Sequence, residues 1–176
     1  MQKPAHAIEI FLQPGDFYFG DKNTRIRTVL GSCVSITLWH PKLHIGGMCH
    51  YMLPFRPVTA AQLDGRYAEE ALQLFLREIR TANTRPSEYR VRVLGGGDMF
   101  PTLIRKNRCE PHTNREDIGA CRSVSCKNAA IARLLLASHG FEIEAEDLGG
   151  DGHRQVIFDI WSGHVLVRKA PVVIAC

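Results

Sequence analysis

Short runs in which apolar and polar side chains alternate dominate this chain, and helical periodicity interrupts them at only two places. That order excludes the regular strand-helix-strand repeat of a doubly wound sheet. Ile26 to Leu30 and Val34 to Trp39 read as strands, with Val34, Ile36 and Leu38 facing one way and Ser35, Thr37 and Trp39 the other. Gly31-Ser32 punctuates them. Beyond a turn at His40-Pro41-Lys42, a β-rich run from Ile45 to Leu53 stops at Pro54, which puts Cys33 and His50 on consecutive strand segments. From Tyr67 to Arg80, residues Ala68, Ala71, Leu72, Phe75 and Ile79 recur at the spacing of one helical face. Tyr89 to Leu94 alternates again and runs into Gly95-Gly96-Gly97, where the backbone is open to close approach. The second helix runs from about Cys126 to Ser138 and stops at His139-Gly140. Strands at Phe141 to Ala145, Gln155 to Trp161 and His164 to Arg168 follow, the last two joined by the hairpin signal Ser162-Gly163. The expected architecture is α+β: a layered sandwich of mixed or antiparallel sheet with two main helices, in a single domain over residues 1–176.

Charge and hydropathy narrow the function classes. Lys plus Arg (22) against Asp plus Glu (18) leaves +4, with no basic run to form an electrostatic track for nucleic acid. The longest apolar stretches, Ala129 to Ala137 and the strand-like tail Pro171 to Cys176, fall far short of the ~20 residues that span a bilayer. The N-terminus runs into the alternating Ile8-Glu9-Ile10-Phe11 without a signal-peptide apolar core, so a cytoplasmic location is expected. In that reducing compartment the six cysteines are thiols, each a core filler, a metal ligand or a nucleophile.

Cys33 follows Gly31-Ser32 at the start of a strand, beside backbone N–H groups that suit an oxyanion. Small cysteines also fill β cores, and a strand histidine is often a satisfied core residue, so both readings stay open on local pattern alone. A histidine on the neighbouring strand, His50, can take the thiol proton, which a cysteine hydrolase needs near neutral pH.

Several motifs, in order, carry a resemblance: Pro14-Gly15-Asp16, Thr28-Val29-Leu30-Gly31-Ser32-Cys33-Val34, His40-Pro41, and Gly46-Gly47-Met48-Cys49-His50-Tyr51-Met52-Leu53-Pro54. Further on come Gly95-Gly96-Gly97-Asp98-Met99-Phe100, Ile118-Gly119, Lys127-Asn128, Glu146-Asp147-Leu148-Gly149-Gly150 and Ser162-Gly163-His164-Val165-Leu166-Val167-Arg168-Lys169. Across nearly the whole chain these resemble the CheD family, the chemoreceptor glutamine deamidases of bacterial chemotaxis. The resemblance implies a fold akin to the deamidase domain of the cytotoxic necrotizing factors. It also implies a cysteine hydrolase that converts glutamine side chains of methyl-accepting chemoreceptors to glutamate. By motif position, Cys33 is the implied nucleophile, His50 the general base and acid, and Gly31 and Ser32 the oxyanion turn. Thr28 is the implied third member, one position from the family's threonine, with Arg27 at the matching place. No metal or organic cofactor is implied. The implied partners are the receptors' cytoplasmic domains and a CheC-type phosphatase, and hydrolysis of receptor methyl esters is a related acyl transfer. The rival reading is a non-catalytic binding partner of such a phosphatase.

An insertion at about 101–126 departs from compact relatives and holds Cys109, His112, Cys121 and Cys126. Cys109-x-x-His112 and Cys121-x4-Cys126 have roughly the reach of a tetrahedral zinc site, though not the spacing of a standard finger; unligated loop thiols are the alternative. A third reading, a zinc-stabilised regulatory domain, rests on this insertion alone. Cys49 and Cys176 read as packing residues, and His40, His44, His153 and His164 as exposed imidazoles at turns and strand ends. Asp98 and Asp147 read as turn formers that only nearness to His50 would promote.

Overall fold

The computed structural model describes residues 2–58, 60–99, 112, 114–121 and 123–170. Its strands are β1 (Ile8–Phe11), β2 (Phe17–Gly20), β3 (Thr24–Leu30), β4 (Val34–His40), β5 (Ile45–Cys49), β6 (Arg90–Gly95), β7 (Ile143–Leu148), β8 (His153–Asp159) and β9 (His164–Ala170). The helices are α1 (Ala68–Thr81), α2 (Arg115–Ala120) and α3 (Val124–Ser138), with a 3-10 turn at Pro86–Glu88. The strands form two sheets, one ordered β1-β3-β8-β9 and the other β2-β5-β4-β6-β7. Both are mixed, because β1 runs parallel to β3 and β6 parallel to β7, while the remaining pairs are antiparallel.

Two apolar clusters set the layers. Ile26, Leu30, Val156 and Phe158 of the first sheet meet Met48 and Leu94 of the second. On the far side of the second sheet, Val34, Ile36, Leu38, Val91 and Val93 pack against Ala71, Leu72, Phe75, Ile131 and Leu136 of the two long helices. The order is sheet, sheet, helices, and the five-stranded sheet is covered on both faces. That explains why β4 is buried almost throughout: its Val34-Ile36-Leu38 face meets the helices, while Trp39 on the other face crosses to donate its indole N–H to the Ile160 carbonyl at 2.8 Å. The buried face of α1 is Ala68, Ala71, Leu72, Phe75 and Ile79, the set its periodicity predicts.

The differences from the sequence reading lie at edges and turns. β1, the alternating Ile8-Glu9-Ile10-Phe11, and β2 are four-residue edge strands of different sheets on either side of Pro14-Gly15-Asp16, and β2, Phe17-Tyr18-Phe19-Gly20, has no alternation to announce it. Helix α2, with Asn114 capping it through the Asp117 N–H, has only Ile118 buried. His40 is a correction: it is 3% exposed, its Nδ1 accepts the Lys42 and Leu43 N–H groups, and its ring meets Tyr89 edge-on at 5.2 Å. β4 runs on through His40, so the imidazole is drawn under the sheet instead of ending in solvent.

Candidate active site

Cys33 sits where the chain leaves one sheet for the other. β3 belongs to the four-stranded sheet and β4 to the five-stranded one, so Gly31-Ser32-Cys33 is the crossing between them. The crossing is pinned from the glycine run after β6: Gly96 N–H donates to the Cys33 carbonyl and Gly97 N–H to the Gly31 carbonyl, both at 2.8 Å. Gly95 has φ +115, and a β-carbon there would lie 2.3 Å from the Cys33 carbonyl oxygen, so only glycine permits this approach. The N–H groups of Ser32 and Cys33 donate to no other described residue. The Cys33 thiol is half-buried, and desolvation raises its pKa, opposed by a hydrogen bond from its own backbone.

His50 follows β5 directly and is held through its backbone by the β1–β2 turn. Its N–H donates to the Asp16 carbonyl at 2.9 Å, and its carbonyl accepts the Gly15 N–H at 2.7 Å. The ring is 2% exposed. Nδ1 lies 2.8 Å from the Thr28 hydroxyl, which itself donates to the Leu12 carbonyl at 2.9 Å. A carbonyl only accepts and a hydroxyl has one proton, so Thr28 spends its proton on Leu12 and accepts at the same oxygen from Nδ1–H. The assigned tautomer therefore carries its proton on Nδ1 and a lone pair on Nε2, the form of a base. Nε2 is buried and has no hydrogen-bond partner. Desolvation lowers the His50 pKa, opposed by the Leu12 carbonyl and the Asp16 carboxylate.

Strand register places the pair. Val34 and Tyr51 exchange both backbone hydrogen bonds, at 3.1 and 3.0 Å, and Thr37 pairs with Met48. In that register Cys33 lies opposite Met52 and diagonal to His50 on the same face, within reach of a long side chain. The sulfur and Nε2 are not hydrogen-bonded. Apo enzymes commonly hold such contacts long until substrate closes them. Thr28 and not Arg27 faces the histidine because β3 alternates: Thr28 is 1% exposed, while Arg27 points outward to Glu9 at 2.6 Å.

Sequence reasoning missed the brace behind this corner. Asn128 of α3, 0% exposed, donates through Nδ2 to the Ser32 carbonyl at 3.2 Å and the Met52 carbonyl at 2.7 Å. Its backbone carbonyl accepts the Tyr51 hydroxyl at 2.5 Å. One side chain thus ties the residue before Cys33 to the residue two after His50; the only sequence signal was the Lys127-Asn128 pair within the family resemblance. Asp147 is engaged by Arg154 at 3.1 Å and Lys169 at 2.9 Å, and Thr28 takes the orienting place at His50. Cys49 is fully buried and its thiol is pushed up to about 12, mainly by desolvation. His112, Cys121 and Cys126 come together, whereas Cys109 and Cys176 lie outside the described residues.

Comparison with known proteins adds to this geometry. A family model described as CheD chemotactic sensory transduction matches residues 52–169. A protein of Pseudomonas syringae pv. tomato named "Probable chemoreceptor glutamine deamidase CheD" is 43% identical over 172 residues, covering 98% of this chain and 95% of its own. A likewise named protein of Dechloromonas aromatica is 48% identical over 164 residues, covering 92% and 88%. Among solved structures, YlmD from Geobacillus stearothermophilus is similar with a TM-score of 0.47 at 15% identity, over 77% of this chain and 51% of that one, so this chain spans about half its length.

Proposed function

We propose a function from one premise: the chain belongs to the CheD family. It is a chemoreceptor glutamine deamidase, an amidohydrolase that replaces the side-chain amide of selected receptor glutamines with a carboxylate. Cys33 is the nucleophile, His50 the base and acid, and Thr28 the group that fixes the base. The observation that carries this reading is the Leu12–Thr28–His50 hydrogen-bond chain, which leaves the Nε2 lone pair on the face that Cys33 shares.

The electrostatics support a neutral resting pair. Burial raises the Cys33 thiol and lowers the His50 imidazole, so both shifts disfavour a standing thiolate–imidazolium. The proton therefore passes from sulfur to Nε2 as the sulfur attacks the amide carbon. The tetrahedral oxyanion is met by the N–H groups of Ser32 and Cys33. Imidazolium then protonates the departing ammonia, leaving a thioester on Cys33. A water deprotonated by His50 attacks the thioester, and release of glutamate restores the thiol. Thr28 keeps Nδ1–H engaged throughout, so the ring does not flip its base away.

Ammonia release from a receptor cytoplasmic fragment tests the proposal, with the product site located by the mass change from amide to acid. Wild type should release ammonia and Cys33→Ala should not. If both are inactive on several fragments, with and without a CheC-type phosphatase, yet bind them equally, the protein is a binding module and the deamidase reading fails.

A further inference from the structure

Apart from the catalytic corner, soft metal-ligating atoms converge where the chain passes from α2 into α3. His112, Cys121 and Cys126 each offer one ligand atom, all three residues are half-buried, and these atoms lie within 4.8 Å of one another. His112 Nε2 is 3.4 Å from Cys126 Sγ. A tetrahedral zinc with Zn–S near 2.3 Å and Zn–N near 2.0–2.1 Å sets its ligand atoms roughly 3.5–3.8 Å apart, so the cluster needs little adjustment to close on an ion. An imidazole with two thiolates is a soft set that suits zinc and not magnesium or calcium.

The local packing gives such an ion work to do. Helix α2 has a single buried residue, Ile118, and the link to α3 is fixed by small polar contacts: Ser123 accepts the Cys126 N–H at 3.5 Å, and the Cys121 thiol approaches the Ser123 carbonyl at 3.8 Å. Apolar burial alone is a weak anchor for so short a helix. Against the expectation of six thiols, Cys126 is disulfide-bonded in this structure. Disulfide and metal thiolate are alternative states of one sulfur, and zinc takes the reduced one.

We propose that in the reduced protein His112, Cys121 and Cys126 bind one structural zinc ion, closing the α2–α3 link into a metal-held staple. Cys126 lies in the first turn of α3, two residues before Asn128, so the ion stiffens the helix end that braces Ser32 and Met52.

The full chain, purified under reducing conditions from zinc-supplemented medium and dialysed, should carry about one zinc per chain. Its cobalt(II) derivative should show the thiolate-to-cobalt charge-transfer absorption of a tetrahedral sulfur site. Cys121→Ser and Cys126→Ser should each weaken that band, His112→Ala should lower zinc retention, and Cys33→Ser should change neither. Should a variant fail to fold, adding zinc to reduced, metal-stripped wild type gives the answer: thermal stability should rise and the accessible thiol count should fall. Reduced wild type that holds no zinc, or a cobalt band that survives the Cys121→Ser/Cys126→Ser double variant, overturns the proposal. All these readouts are independent of substrate, so a zinc-free protein that releases ammonia sinks this inference and leaves the deamidase reading standing.

Discussion

The Cys33–His50 corner and the His112–Cys121–Cys126 cluster both gather sulfur and imidazole, yet they are built by opposite means. The first is assembled by the core: β3, β4 and β5 hold its residues, the Pro14-Gly15-Asp16 turn grips the His50 backbone, and Asn128 ties the two sides together. The second stands beside a six-residue helix with one buried residue, Ile118, and gathers three half-buried ligand atoms within 4.8 Å of one another. The proposed nucleophile and base must be held in place without being bonded to one another, which a packed sheet corner does. A structural ligand set needs no such support, because the metal supplies the free energy that positions it.

The largest expected effect would break the comparison at its first half. Cys33→Ala and His50→Ala should each lower ammonia release by about 10³-fold or more, and the double variant should be scarcely worse, since the two act as one unit. Additive losses in steady-state kinetics would show that they act separately. The receptor fragment should bind all three variants about as well as wild type.

Thr28 offers a finer cut. Thr28→Val keeps the shape and removes the hydroxyl that accepts from Nδ1, so kcat should fall by about 10- to 100-fold, while Thr28→Ser should recover most of it. A structural role alone would move Tm without this serine rescue. Next in size is Asn128→Leu, which leaves the Ser32 and Met52 carbonyls unsatisfied. Stability should drop by about 1–3 kcal/mol in denaturant titration, with a kcat loss that exceeds any change in KM. If kcat is untouched while stability falls, the brace serves the fold and not the site.

The smallest effect is in pH. The proposed mechanism needs neutral His50, and desolvation lowers its pKa below the ordinary 6.5, so the acid limb of kcat/KM should lie below pH 6.5. Activity is then present above that limb and lost as pH falls through it. A limb at or above 6.5 would mean a solvated ring and a corner looser than the hydrogen bonds describe. Because the Cys33 thiol is raised and not lowered, its alkylation should quicken as pH rises above neutral, and it should outpace the fully buried Cys49, whose thiol is pushed up to about 12.

Periodicity along the chain determined a good deal by itself. It marked the buried face of α1, the alternating faces of β4 and the start of α3 to within two residues, because these depend on side chains a few positions apart; that both faces of β4 are buried came from the packing. The spacing of Cys33 and His50 across one turn likewise put them on neighbouring strands. Only the tertiary structure decided that β3 and β4 belong to different sheets, that the inward phase of β3 gives His50 to Thr28 and turns Arg27 outward, and that the Thr28 proton goes to Leu12. It likewise drew His40 beneath its sheet and brought Asn128 to Ser32 across 96 residues of sequence. Those outcomes depend on which surfaces pack and which donors find acceptors once water is gone, a competition among distant groups that no local pattern records.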